Sequence, residues 1–538
     1  MSKSESRDRD RRTESTVSNA GALYRDALDS HPYRTAFIDG ETGEEVTYRE
    51  FDERVASAGN ALSALGVERG DRVALCFPNE LEHLYTLFGA MQIGAVPLPI
   101  NVELPESKLT YLLGDSDAEV LVASNTADIR ALSLALSDAV DGVDTCAIVR
   151  EDTDVDSPVD AAIVPFATRM DEAAADLVPV DVDGDDPALQ PYTSGTTGHP
   201  KGVVISHRGV DWNSDAVQKV HYLEREDRGL VAAPLYHKNA MAGAIKPLLQ
   251  VGGSVVVMRE FESADVFGAI EAYEVTYLRG VPAMFKALAR DEEAAREHDL
   301  SSVEWAVAGS GNLPDSLADT FQSLFGAPIG EGYGLTEAGV VALSPRWGPR
   351  KSESAGLSLP GCETRVVDPE TDEELPPGQA GELLIANPQL ARYHNRPEAN
   401  EETFVERGGT RFMRTGDYVR KDEHGYHYVL GRLDDMLLVG GNNVYPIDVE
   451  NVLLEHDAVE DAAVVGVDHE MKGEAPVAFV VAPDATEETI KGFALDNGPN
   501  YAHPRRVFCK DRLPLAGTAK VDKAALRAEA RERIDLPL

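Results

Sequence analysis

Residues 192–203 read YTSGTTGHPKGV, the densest run of small and hydroxyl-bearing residues in the chain. Gly195 and Gly198 permit backbone conformations closed to other residues, so that amide N–H groups can approach phosphate oxygens closely. Thr193, Ser194, Thr196 and Thr197 add hydroxyl donors, and Lys201 supplies a positive point charge. A plain flexible turn would leave this density, and the Pro-Lys-Gly that follows it, unexplained. The run lacks the GxxxxGK[ST] spacing of a Walker A loop, which argues against a kinase or P-loop ATPase. Taken alone, the segment says that something phosphorylated is held by backbone amides and hydroxyls.

The segment resembles the phosphate-binding loop of the adenylate-forming superfamily, which includes acyl-CoA synthetases, adenylation domains of peptide synthetases and firefly-type luciferases. The likeness covers the chain from about residue 25 to 525, with further motifs in the family's order. In EGYGLTEAG at 331–339 it implies that Tyr333 stacks on adenine, Thr336 binds the α-phosphate and Glu337 holds Mg²⁺. A carboxylate suits that hard cation, and the cation offsets charge on the transferring group. GSGN at 309–312 matches the small-residue segment along the nucleotide, with Gly311 and Asn312 where the family usually has Ala-Pro.

RTGD at 414–417 places Asp417 where the family's Asp accepts hydrogen bonds from both ribose hydroxyls, a task for an acceptor-only side chain. In residues 431–450 the resemblance gives Arg432 a ribose and phosphate contact, makes Asp434 the hinge, and sets Gly440 and Gly441 beside pantetheine. A plain β-turn at these two glycines is compatible with that role. Lys520, in LPLAGTAKVDK, matches the Lys that bridges the substrate carboxylate and the α-phosphate, although Ala519 replaces the usual Gly. A Cβ there narrows the conformational range of the loop. His237, in PLYHKNA, matches an aromatic-His position beside the acyl carboxylate. Its expected part is to shape the pocket, since a carboxylate nucleophile is already ionised at neutral pH.

The elements that must position these residues follow from length and periodicity. A chain of 538 residues exceeds what one core supports, so at least two domains are expected. Helical periods at 49–65, 80–93 and 264–273 alternate with short apolar strands at 71–77, 95–101, 253–258 and 303–308. That rhythm predicts βαβ units and an α/β fold of mostly parallel sheets flanked by helices. After about residue 360 shorter strands and turns predict an antiparallel, barrel-like part. The last hundred residues predict a small, mobile α+β domain with helices at 445–455, 486–496 and 524–534 and strands at 462–467 and 477–481. The expected divisions are an arm at 1–18, an adenylate-forming domain at 19–431 and a lid domain at 432–538.

Composition excludes some partners. With 93 acidic against 50 basic residues the formal net charge is -43, which repels nucleic acid. The acid is spread along the chain and Lys is scarce beside Arg, a pattern suited to a halophile's salty cytoplasm, where the self-repulsion is screened. Cys76, Cys146, Cys362 and Cys509 form no metal or disulfide pattern and read as small core residues of a cytoplasmic protein. The polar N-terminus has no apolar stretch of a secretory signal, and no run reaches the ~18 apolar residues of a transmembrane helix. DVDGDD at 181–186 superficially resembles a calcium loop, yet the twelfth position is Tyr192 where Glu is needed, so it reads as a solvated turn.

The expected reaction joins a carboxylic acid to coenzyme A through an acyl-adenylate, with ATP and Mg²⁺. A free-standing enzyme that loads a separate carrier protein is the alternative, and a non-catalytic nucleotide or acyl-adenylate sensor is the reading of a different class. By the resemblance, activation of amino acids is disfavoured, because the His237 region lacks the Asp that members of that family use to pair with an α-ammonium. Gly332, Gly339, Met241 and Val340 suggest an apolar acyl pocket for a fatty or aryl acid, with Lys238 placed to meet a second carboxylate or solvent. Oligomeric state is not legible.

Overall fold

The computed structural model describes residues 19–140, 143–148, 162–193, 200–469, 471, 473–483, 485–514 and 521–534. Ser194, Gly195, Thr196, Thr197 and Gly198 of the expected phosphate-binding loop, Ala519, Lys520 and the expected arm at 1–18 lie outside the described residues.

The helix Tyr48–Ala64 shows how locally the sequence acts. Thr47 and Glu50 close a capping box at its start, satisfying donors that the first turn leaves unpaired. Phe51, Val55, Ala58 and Leu62 then recur on one face and are buried. They share a core with Leu84 and Phe88 of the helix Leu81–Gln92 and with Phe37 and Val255 of the large sheet. A second sheet, ordered Val96–Pro99, Arg72–Cys76, Ala118–Ala123, Thr145–Ile148 and Ala162–Pro165, is parallel throughout. This is the α/β alternation that the hydrophobic periods imply.

The large sheet runs in parallel through Thr35–Asp39, Ser254–Val257, Arg228–Val231, Tyr277–Gly280, Trp305–Gly309 and Ile329–Leu335. It turns antiparallel at Gly339–Leu343 and continues through Gly356–Ser358, Tyr426–Arg432, Thr410–Lys421, Ala380–Ala386 and Glu363–Val367. The change of texture expected near residue 360 therefore begins about twenty residues earlier, where a tight hairpin reverses the chain. Among the described residues the antiparallel strands extend the large sheet as an open path.

The C-terminal residues build a separate sheet from Asn442–Val444, Leu437–Val439, Gly473–Val481, Asp461–His469 and Arg506–Cys509. Along Asp461–His469 the side chains alternate between two cores: Ala462 and Val464 meet Leu453 and Ile490, while Ala463 and Val465 meet Leu526. Both faces are covered, which makes this an α+β unit. Among the described residues no helix is long and apolar enough to cross a membrane.

Two expectations need correction or detail. Cys76 and Cys146 are buried, but Cys362 is half-buried and Cys509 exposed, so the four are not uniformly core residues. The acidic turn at 181–186 spends its carboxylates locally: Asp186 accepts from the Asp183 amide at 2.6 Å, and Asp185 pairs with Arg208 at 3.1 Å.

Candidate active site

The hairpin formed by Ile329–Leu335 and Gly339–Leu343 carries two candidate residues at its tip. Leu335 pairs with Gly339, so Thr336, Glu337 and Ala338 form the connection, and Gly339 adopts φ +67° to close it. Glu337 is buried; its Oε1 accepts from the Tyr393 hydroxyl at 2.8 Å, and its backbone oxygen accepts from the Ala391 amide at 2.9 Å. Oε2 has no protein donor among the described residues. One carboxylate oxygen pinned and one left over suits Mg²⁺, which takes one or two carboxylates and fills its shell with water and substrate phosphate.

Tyr333, on the same strand, donates its hydroxyl to Asp417 Oδ2 at 2.5 Å. Asp417 and Arg432 are direct cross-strand partners between Thr410–Lys421 and Tyr426–Arg432, and Arg432 Nη1 reaches Asp417 Oδ1 at 3.3 Å. Arg432 Nε also meets Asp434 Oδ1 at 3.2 Å. Burial pulls the Arg432 guanidinium downward, and the carboxylates of Asp417 and Asp434 more than offset it, so it is held above its ordinary value. Burial, reinforced by the Asp417 charge, pushes the Tyr333 phenol well up. Sheet register thus brings residues from 333, 417, 432 and 434 into one network.

On the other side, Thr193 and Lys201 face each other across an antiparallel ladder, with the undescribed loop between them. The Lys201 ammonium sits 4.5 Å from the centre of the Tyr393 ring, the ring whose hydroxyl holds Glu337. Lys201 and the Thr336–Glu337 tip are therefore joined through Tyr393. Beyond the strand Trp305–Gly309, Ser310 has φ +68°, a conformation costly for a residue with a side chain, and Gly311 and Asn312 follow. Glu331 braces this turn by accepting from the Leu313 amide at 3.1 Å, and burial pushes its carboxyl up to about 7.

His237 caps the next element: its Nδ1 accepts from the Asn239 amide at 3.3 Å at the start of Lys238–Ala240. The helix continues through a π-turn at Met241–Ile245 into Lys246–Val251. Such turns carry an extra residue and often mark functional sites. A cavity opens beside it, lined by His237, Lys238, Met241, Lys246, Thr336 and Gly339 among others, and no Asp or Glu among the described residues lines it. Of the residues expected to form an apolar acyl pocket, Met241 and Gly339 line the cavity while Gly332 and Val340 do not; Lys238 lines it too, and Lys246 is a second lysine there. Gly332 instead faces Leu343, Val307 and the guanidinium of Arg279.

Lys246 is 4 % exposed and has neither hydrogen bond nor ion pair among the described residues; burial lowers its ammonium to about 8. Removing that charge is expected to stabilise the protein. Below pH 8 the lysine is protonated in both folded and unfolded chains, so the cost is fully present. Between about 8 and 10.5 the unfolded chain keeps a proton that the folded one has lost, and the penalty fades. Lys246→Met should therefore gain about 3 kcal/mol at pH 7 in urea melts, and much less at pH 10. A gain that stays the same at both pH values would contradict a charged, unpaired lysine.

In the C-terminal unit, Asp434 lies in the short 3₁₀ turn Leu433–Asp435 directly after Arg432. Gly440 and Gly441 take φ +59° and +85° at the tip of the hairpin between Leu437–Val439 and Asn442–Val444, and Gly441 is exposed. Sequence reasoning missed Tyr393, Lys246 and Arg279. Tyr393 carries no motif, but the two cations stand inside otherwise apolar strings, AIKPLL and YLRGV, and that interruption was a usable signal.

Residues 24–393 match the family model described as AMP-binding enzyme, and 448–520 match that of the AMP-binding enzyme C-terminal domain. The feruloyl-CoA synthase of an Amycolatopsis species is 36% identical over 502 residues, covering 92% of this chain and 96% of its own. The structure of the anthranilate CoA ligase AuaEII in complex with anthranoyl-AMP superposes with a TM-score of 0.88 at 26% identity, covering 97% of this chain and 99% of that one. ATP-bound MatB from Rhodopseudomonas palustris gives 0.84 at 26% identity, with 96% and 100% covered.

Proposed function

The chain belongs to the family of AMP-binding enzymes, and on that premise we propose how its residues share the work of an ATP-dependent acid:CoA ligase of the AMP-forming type. The enzyme uses ATP and CoA with a small carboxylic acid, fatty or aryl. In the first half-reaction a carboxylate oxygen of the acid attacks the α-phosphorus of ATP in line, and the bond to the bridging oxygen breaks to release pyrophosphate. In the second, the CoA thiol attacks the acyl carbon, AMP leaves, and the thiol proton passes to solvent.

The observation that carries the assignment of roles is the network joining Tyr333, Asp417 and Arg432 beside the Thr336–Glu337 tip. Asp417 takes the ribose hydroxyls, Tyr333 the adenine face, and Arg432 the ribose and phosphate side. Thr193, Ser194, Gly195, Thr196, Thr197, Gly198 and Lys201 hold the β- and γ-phosphates, with Gly311 and Asn312 along the nucleotide. Thr336 binds the α-phosphate and Glu337 would hold Mg²⁺, which offsets phosphate charge when bound. His237 walls the carboxylate side, and Lys520 bridges carboxylate and α-phosphate.

The lid at 432–538 then turns about Asp434 to withdraw Lys520 and bring Gly441 toward the pantetheine arm. Lys286–Asp461 at 3.3 Å and Arg290–Glu460 at 3.1 Å are the kind of partly exposed ion pairs that hold such a unit weakly enough to move. The acidic surface suits a halophile's cytoplasm.

The test is acid-dependent AMP release from ATP and CoA in high salt. Lys520→Ala is expected to slow pyrophosphate release by about a hundredfold or more while leaving the transfer of pre-formed acyl-adenylate to CoA near the parent rate. A Lys520→Ala protein as fast as the parent would remove Lys520 from the chemistry. Turnover that requires a carrier protein in place of CoA would redirect the second half-reaction.

A further inference from the structure

The helix that His237 caps widens its pitch at Met241–Ile245, and the change decides which side chain comes next into the cavity. The Lys246 amide donates to the Met241 carbonyl five residues back, where an α-helix would use the fourth. Lys246 therefore follows Met241 on the face that also brings Lys238 and Ala242 to the cavity. With α-helical spacing the apolar Ile245 would take that place; it is buried elsewhere and does not line the cavity.

A buried lysine without a partner is costly to keep. Lys246 has neither hydrogen bond nor ion pair among the described residues, and none of them brings a carboxylate to the cavity. Burial alone lowers its ammonium to about 8, so part of the amine is neutral near neutral pH. A desolvated lysine in that state is a nucleophile. Thr336, proposed to bind the α-phosphate, and His237, proposed to wall the carboxylate side, line the same cavity. An acyl-adenylate formed there is an electrophile facing this amine. Leu87, Ile205, Leu235 and Met241 supply apolar wall, which disfavours water as the competing nucleophile.

We propose that Lys246 is an acylation site: its amine takes the acyl group from the acyl-adenylate when no CoA is present to receive it. The inference rests on the ligase reading above. The Lys246 nitrogen forms a bond to the acyl carbon, and the bond from that carbon to the phosphate oxygen breaks. AMP leaves with the electron pair, and the proton displaced from nitrogen passes to solvent. The product is an amide, which the CoA thiol does not reopen, and its acyl chain occupies the cavity. The enzyme so modified stops consuming ATP. Lys238 also lines the cavity but is only half-buried, and acylation there is a separate outcome of the test.

The test leaves CoA out. The parent is incubated with ATP, Mg²⁺ and either 3-phenylpropenoic or dodecanoic acid, and is followed by pyrophosphate release and intact mass. The expected result is a gain of about one acyl group per chain, the acid less one water, located on Lys246 by peptide mass spectrometry. CoA present from the start should cut that gain at least about tenfold, since the thiol takes the acyl group first. Turnover measured afterwards with CoA should fall in proportion to the mass gained. Lys246→Arg keeps a charge without the nucleophile, and Lys246→Met removes both. Each should gain no mass, and each should hold its own starting rate through the same incubation. A parent that releases pyrophosphate but gains no mass overturns the proposal. So does an acyl group found on Lys238 or Lys520, or a gain that persists in Lys246→Met. If neither variant folds, the peptide location in the parent still decides. Absence of acid-dependent pyrophosphate release across aryl, short-chain and long-chain acids would sink the ligase reading instead, so the two failures are distinguishable.

Discussion

Replacing Asp417 with alanine is expected to lower kcat/KM for ATP by about a hundred- to a thousandfold, and to lower the melting temperature as well. The first effect follows from its proposed contact with both ribose hydroxyls: hydrogen bonds to a charged group are worth about 1.5–3 kcal/mol each. The second follows from what Asp417 already holds. It is 6 % exposed, accepts from Tyr333 at 2.5 Å and meets Arg432 at 3.3 Å, so truncation strands the buried phenol and takes from Arg432 one of its two carboxylates. The two effects separate by nucleotide. The parent should lose activity with 2′-deoxy-ATP, whereas Asp417→Ala should treat it and ATP nearly alike. If the variant discriminates between them as the parent does, Asp417 is a structural brace and the ribose contact lies elsewhere. Asp417→Asn, which keeps an acceptor oxygen, should fall between the two.

A single methyl group at Gly334 is expected to be as damaging. Its Cβ would stand 2.2 Å from the Gly339 carbonyl oxygen and 2.9 Å from the Val340 Cα, both backbone atoms with nowhere to go. Gly334 pairs with Val340 beside a bulge in the ladder, so the clash pries open the hairpin whose tip carries Thr336 and Glu337. Gly334→Ala should cost about 3 kcal/mol or more and reduce pyrophosphate release by at least about a hundredfold in whatever folds. Gly492, within the helix Glu487–Asn497, is the control, because nothing lies within 4 Å of a Cβ there. Gly492→Ala should gain up to about 1 kcal/mol in urea melts with no change in rate. A Gly334→Ala protein with the parent's melting curve would mean that the strands can separate more freely than the ladder implies.

Much of the fold was legible because its cause is local. The helix Tyr48–Ala64 announces itself by the Thr47–Glu50 capping box and by apolar residues at helical spacing, and the observed ends fall within one residue of those read from periodicity. The strands Arg72–Cys76 and Ser254–Val257 are short apolar runs between turns, and nothing distant is needed to find them. The switch to antiparallel pairing was misplaced by about twenty residues because it depends on the turn at 336–339, and that turn was read as a chemical motif and not as a reversal of the chain.

The candidate site was legible as an ordered set of residue types but not as an arrangement. Asp417 opposes Arg432 only because two strands pair in one register, and Tyr333 arrives from a third strand more than eighty residues earlier in sequence. Tyr393 joins Lys201 to Glu337 without belonging to any motif.

By itself, the sequence determined that this is an acidic α/β protein, and it determined the chain order of the residues proposed to handle ATP. Those properties reside in composition, spacing and local hydrogen bonding, so they survive being read in one dimension. The tertiary structure decided the surroundings of the buried cations. Whether Arg279 and Lys246 are paired depends on which side chains converge from strands and helices far apart in sequence, and only the fold reveals that no carboxylate among the described residues pairs with either. A charge missing its counterpart is a property of space, because it is defined by what fails to arrive within reach.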